Sequence, residues 1–172
     1  YAGFQLAYAY RAKGDLEEAA TQFTTVANSD ADPALRMESR FRAAQTYDKI
    51  GWYGAALGAY EQLGEEFPDA PFAEAANMGL IWALFHEGKC GDARTAIQAH
   101  LKRYPETSQL VELEYIRANC LQQDGQNDKA MDAFIRIREK FPDSEFAGRA
   151  LYKMAWIQYL NSQMSEAQEL VP

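Results

Sequence analysis

Four glycines, Gly14, Gly51, Gly88 and Gly125, stand 37 residues apart, and Ser162 takes the next place in the series. A fixed period of this length marks a chain built from stacked copies of one supersecondary unit, and an ordinary bundle has no reason to keep such a register. Other columns keep step with the glycines. Five residues after each punctuator comes alanine, at Ala19, Ala56, Ala93, Ala130 and Ala167, and four further on stands Phe23, Tyr60, Ile97 or Phe134. Seven residues before each one stand Ala7, Ala44, Ile81, Ala118 and Ala155, followed within one helical turn by Tyr10, Tyr47, Leu84, Leu121 or Tyr159. Contacts three and four apart share one helix face, so each unit reads as helix, turn, helix.

Pro68, Pro105 and Pro142 recur with the same period behind charged, aromatic segments, where proline stops a second helix. The spacing predicts first helices over 1–13, 34–50, 71–87, 108–124 and 145–161, and second helices over 15–28, 52–67, 89–104, 126–141 and 164–171. Asp15 with Glu18, and Ser165 with Gln168, have the spacing of a capping box, while Asp32 before Pro33 suits an N-cap followed by the first helical position.

With 172 residues, 48% of them apolar, the chain can bury a continuous core. Seventeen basic against 25 acidic side chains leave a net charge of −8, which repels phosphate backbones and argues against nucleic acid as a partner. A helical-repeat RNA reader would need a basic binding face instead. The longest apolar run, Leu80 to Phe85, is far shorter than the roughly 20 residues a membrane-spanning helix requires, so membrane insertion is not expected. The first residue is Tyr1 rather than Met, and the expectation is a segment of a longer protein.

Ala44, Tyr47, Gly51, Ala56, Tyr60 and Pro68 closely follow the pattern of the tetratricopeptide repeat (TPR) family, which the whole chain resembles. It departs from that pattern in three respects. No unit carries the early tryptophan, Ala31 stands in the first unit's proline place, and Arg117 replaces a usual leucine. The long period and phrases such as Tyr104-Pro105-Glu106 and Phe141-Pro142-Asp143 resemble the repeats of bacterial cell-envelope proteins. Outer-membrane assembly lipoproteins and the periplasmic coordinator of the Tol-Pal system are of this kind. The resemblance implies an all-α, right-handed superhelical solenoid of about four and a half units, over 1–33, 34–70, 71–107, 108–144 and a truncated 145–172. It also implies a periplasmic or envelope location, with the cytoplasm as the alternative. The three residues beyond the common period are expected to lengthen each first helix by about one turn, anchored at Leu35, Phe72 and Phe146.

In TPR proteins the first helices line a concave groove, and the resemblance assigns the groove residues here. The first unit would offer Phe4, Gln5, Tyr8 and Arg11, and the second Phe41, Arg42, Gln45, Asp48 and Lys49. The third would contribute Met78, Trp82, Phe85 and His86, and the fourth Glu112, Tyr115, Asn119, Gln122 and Gln123. Tyr152, Lys153, Trp156 and Tyr159 complete the set. Trp and Tyr are frequent binding hot spots, but aromatic residues at helical spacing also serve as core. Both readings stand for any one ring, with Trp82, Phe85 and Trp156 expected to be reachable.

Little in the chain points to catalysis. Phosphate loop, zincin helix and nucleophile elbow are absent, so no catalytic residue, cofactor or metal is assigned. Cys90 and Cys120 occupy core columns and read as buried thiols, with a bridge between adjacent units or a zinc site including His86 as alternatives. His100 replaces an apolar residue in a second helix and reads as a satisfied, buried histidine. The leading function is a protein-interaction scaffold that takes a partner protein or peptide in an aromatic groove. The alternative is a structural or glycan-binding component of an envelope assembly, and the sequence leaves oligomeric state open.

Overall fold

The computed structural model describes the backbone of residues 1–169 and the side chains of residues 1–162. Among the described residues the fold is all-α: α1 (Ala2–Lys13), α2 (Leu16–Ala27), α3 (Pro33–Lys49), α4 (Tyr53–Glu66), α5 (Ala73–His86), α6 (Cys90–Arg103), α7 (Leu110–Gln123), α8 (Asn127–Lys140) and α9 (Glu145–Glu169). Up to α8 these bounds fall close to those read from the period.

The turns explain why the period is so legible. Gly14, Gly51, Gly88 and Gly125 all have positive φ, between 73° and 93°, and no other described residue does. At each, the residue after glycine donates its N–H back to a carbonyl five residues earlier: Asp15 to Tyr10, Trp52 to Tyr47, Lys89 to Leu84 and Gln126 to Leu121. This bond satisfies a carbonyl left open at a helix end, and it requires a left-handed residue that glycine enters without a Cβ penalty.

Ser162 departs from the series. α9 continues through it to Glu169, so the turn expected there and the separate second helix over 164–171 are not formed within the described backbone. A serine would bear the left-handed penalty that glycine avoids, and continuing the helix costs nothing comparable. The Ser165–Gln168 box lies outside the described side chains, and residues 170–172 lie outside the described backbone.

Other starts and lengths are corrected as well. Asp15 makes no side-chain cap, because its carboxylate is held by Lys13 Nζ at 2.7 Å. Asp32 does cap α3, accepting from the Ala34 N–H at 2.9 Å with Pro33 at the first turn. The extra turn expected in every first helix appears in α3, with 17 residues, whereas α5 and α7 have the 14 residues typical of second helices. Before α5 the additional residues form turns, and Phe72 sits at the cap position, stacked on Phe41 at 4.3 Å.

The chain divides within α6 into two compact units, residues 1–96 and 97–172. In the first, α1 packs on α2, α2 on α3, α3 on α4 and α4 on α5, with α3 also meeting α5. Ala7, Ala19, Phe23 and Ala43 form a core against which Phe4, Tyr10 and Tyr47 pack. In the second, α7 packs on α8, and α9 on both. Phe134, Ile116, Leu113 and Ile137 are among its fully buried side chains. The small residues of the columns are buried in the first four units, at Ala44, Ala56, Ala93, Ala118 and Ala130 among others, since close axis approach needs a small contact opposite a large one, whereas Ala155 on α9 is exposed.

Candidate functional site

The first-helix residues assigned to the groove fall into columns 37 apart, and each column has its own fate. Phe4, Phe41, Met78, Tyr115 and Tyr152 form one column. Phe41, Met78 and Tyr115 are buried, and their assignment as groove contacts is corrected. Phe72 stacks on Phe41, while Tyr115 packs against Phe134 and Phe146 at 5.9 and 5.3 Å. Phe41 and Tyr115 thus each meet the phenylalanine that opens the following hairpin. Phe4 is half-buried, edge-on to Phe23 at 5.8 Å and Tyr8 at 5.0 Å. Tyr152 is 67% exposed.

The next column, Tyr8, Gln45, Trp82, Asn119 and Trp156, is mostly accessible. Asn119 is the exception and is also corrected: it is 3% exposed, and its amide donates to the Tyr115 carbonyl at 2.8 Å, a bond within its own helix. Gln45 accepts from Arg42 at 3.0 Å, and Arg42 also pairs with Glu38 at 2.6 Å, so this part of α3 is engaged internally. Arg11, Phe85 and Gln122 are half-buried, while Lys49 and Tyr159 are exposed.

Two aromatic patches result, one in each unit. In the first unit the end of α5 presents Trp82, Phe85 and His86, whose i, i+3, i+4 spacing puts them on one face. The His86 ring lies nearly parallel to Tyr53, at 4.3 Å and 15°, and to Trp82, at 5.4 Å and 20°. Phe85 meets His86 at 5.4 Å and Trp82 edge-on at 5.8 Å. Tyr53 belongs to a column that the sequence reads as core. Its place directly after the Gly51 turn, in the hairpin before His86, is the signal that could have found it. In the second unit Trp156 and Tyr159, 45% and 54% exposed, stand 5.8 Å apart on α9 beside the half-buried Lys153.

The electrostatics centre on Asp48. Burial holds its carboxyl above the ordinary carboxylate range, and the charge of His86 draws it partly back. The buried phenol of Tyr60 is pushed upward by burial and by the charge of Asp48. Cys90 and Cys120 are both buried and are not joined in a disulfide. His100 is buried, with Nε2 3.5 Å from the Thr107 hydroxyl and its ring against Tyr104. Among the described residues, no group of three His, Cys, Asp or Glu side chains is placed to hold a metal ion.

No described helix is long and apolar enough to cross a membrane. The solved structures most like this one include the TPR-like repeats of a putative kinesin light chain from Podosopora anserina. That likeness has a TM-score of 0.66 at 19% identity and covers 99% of this chain and 90% of that one. MamA from Desulfovibrio magneticus matches with a TM-score of 0.69 at 14% identity, over 96% of this chain and 86% of that one. At such identities the likeness establishes the helical-repeat fold alone. Residues 1–32 match a tetratricopeptide repeat family. The outer membrane protein assembly factor BamD of two Xylella fastidiosa strains is 28% identical over 91 residues and 29% over 89, about half of this chain. Those matches span about a third of the length of the relatives, 31% and 30%. Residues 33–169 match the outer membrane lipoprotein family YfiO, and the chain belongs to that family.

Proposed function

We propose that this chain is a non-catalytic scaffold of a bacterial outer-membrane assembly system, holding a partner protein through its two aromatic patches. The observation that carries the reading is the stack of Tyr53, His86 and Trp82, repeated in kind by Trp156 and Tyr159. Rings fixed against one another offer broad contact area with little conformational entropy left to lose on binding. The similarity to BamD, named as an outer membrane protein assembly factor, supports envelope partners and an outer-membrane location.

The test is affinity capture from envelope extract, comparing the wild-type chain with a Trp82→Ala/Trp156→Ala variant whose helicity and melting are checked in parallel. Outer-membrane assembly proteins retained by the wild type and lost by a folded variant are the expected result. Equal retention by both would remove the aromatic patches from the binding surface. Loss of helicity in the variant would show that these rings are core.

A further inference from the structure

A second candidate surface lies on different residues, in the unit of residues 97–172. A pocket of about 320 Å³ opens between α7 and α8. Its apolar lining is Leu110, Ala133, Ile137 and Phe141, and its charged rim is Glu114, Arg117, Arg136 and Lys140. At 100° per residue, positions 110, 114 and 117 lie about 140° around α7 from Tyr115, Asn119 and Gln122. The pocket is therefore separate from the aromatic face.

Charge makes this place unusual. The chain carries 25 acidic against 17 basic side chains, yet the pocket rim has three cations and one carboxylate. That carboxylate is already engaged, since Arg117 holds Glu114 at 3.1 Å. Arg136 and Lys140, both exposed, make no ion pair or hydrogen bond among the described residues. They stand four apart on α8, side by side on one face, where like charges repel until an anion settles between them.

The repeat register supplies an internal comparison. Two periods earlier, the places of Leu110, Glu114, Arg136 and Lys140 are held by Arg36, Arg40, Gln62 and Glu66. There the charges close on themselves. Arg36 and Arg40 meet Glu66 at 2.9 and 3.2 Å, and Arg40 also donates to Gln62. The α7–α8 hairpin has the same two cations and one carboxylate at these four places, but both cations now stand on α8 and the carboxylate on α7, so the cross-hairpin pairing is not made.

We propose that the α7–α8 pocket docks an acidic peptide segment of a partner protein, an apolar side chain entering between Leu110 and Ile137 while flanking carboxylates meet Arg136 and Lys140. The apolar lining favours a peptide over a polyanion such as nucleic acid, which the net charge of −8 also disfavours. Exposed charge pairs of this kind confer selectivity and salt-sensitive association more than raw affinity.

The probe is the capped peptide acetyl-Glu-Phe-Glu-amide, titrated into the 172-residue chain and followed by amide chemical shifts, with acetyl-Gln-Phe-Gln-amide as the neutral control. Saturable shifts confined to α7 and α8, weakened by salt and about tenfold weaker for the neutral peptide, are expected from two exposed charge contacts. Arg136→Gln/Lys140→Gln should lose the same factor with melting unchanged, and Trp82→Ala/Trp156→Ala should bind as wild type. Equal binding of the two peptides, shifts elsewhere, no saturable shift at millimolar peptide, or indifference to the α8 variant would each overturn the proposal. Shifts at α7 and α8 with anionic lipid vesicles but not with the peptide would assign the cations to a membrane surface instead.

Discussion

The ring of Tyr60 lies against the bare α-carbon of Gly79, occupying the space a Cβ there would need. Tyr60 is buried on α4, and Gly79 sits inside α5, so the missing side chain lets the two helices close on an aromatic ring. Gly79→Ala sets two effects against each other. Helix propensity favours alanine by about 1 kcal/mol, while overpacking a fitted contact costs about 1–3 kcal/mol. Because the ring carbon itself blocks the space, overpacking wins, and urea unfolding should show a loss of about 1–2 kcal/mol. Combining Gly79→Ala with Tyr60→Leu should recover part of it, whereas strictly additive losses would contradict the contact.

Two other glycines should respond with opposite signs. Gly51 has φ +80°, and an added Cβ would meet nothing within 4 Å, so Gly51→Ala bears only the left-handed backbone penalty, about 1 kcal/mol. Gly64 lies in the interior of α4 with equally open space around it. Gly64→Ala should therefore stabilise by about 0.5–1 kcal/mol. Denaturant midpoints moving in the same direction for both would refute the assignment.

Asp48 gives the fold a pH signature. Burial raises its carboxyl above the unfolded value of 3.8, so the native state binds the proton more tightly than the unfolded chain does. Stability from this group consequently falls as pH rises from the unfolded value through the raised native value. Asp48→Asn should raise the urea midpoint near pH 7, and the gain should shrink as pH is lowered toward 4. A loss of stability near pH 7 that fades on acidification would show that attraction to His86, rather than burial, dominates.

Arg40 is 6% exposed and donates to Gln62, to Glu66 and to the Ala27 carbonyl. Arg40→Ala removes a buried stem and its hydrogen bonds together and should cost about 2 kcal/mol. Glu66→Gln should cost less than about 1 kcal/mol, since the group is half-solvated and Arg40 keeps its other acceptors. Equal effects in thermal unfolding would place the stabilisation in the ion pair itself.

What the sequence determined by itself is the periodic frame. Gly14, Gly51, Gly88 and Gly125 mark left-handed turns, the prolines follow second-helix ends, and the column alanines of the first four units are buried. These features depend on backbone conformations and contacts a few residues apart, which local sequence specifies. Which rings are accessible was decided by tertiary structure. Phe41 and Tyr152 hold the same column, yet Phe41 is stacked on Phe72 and Tyr152 is exposed, a difference in tertiary neighbours that spacing does not carry. Tyr53 joined His86 for the same reason, through a contact between separate hairpins. The pairing of Asp15 with Lys13 and the uninterrupted α9 likewise followed from competition between alternatives that spacing cannot rank. A period fixes which residues are equivalent along the chain, and only the packed neighbours fix what each equivalent residue faces.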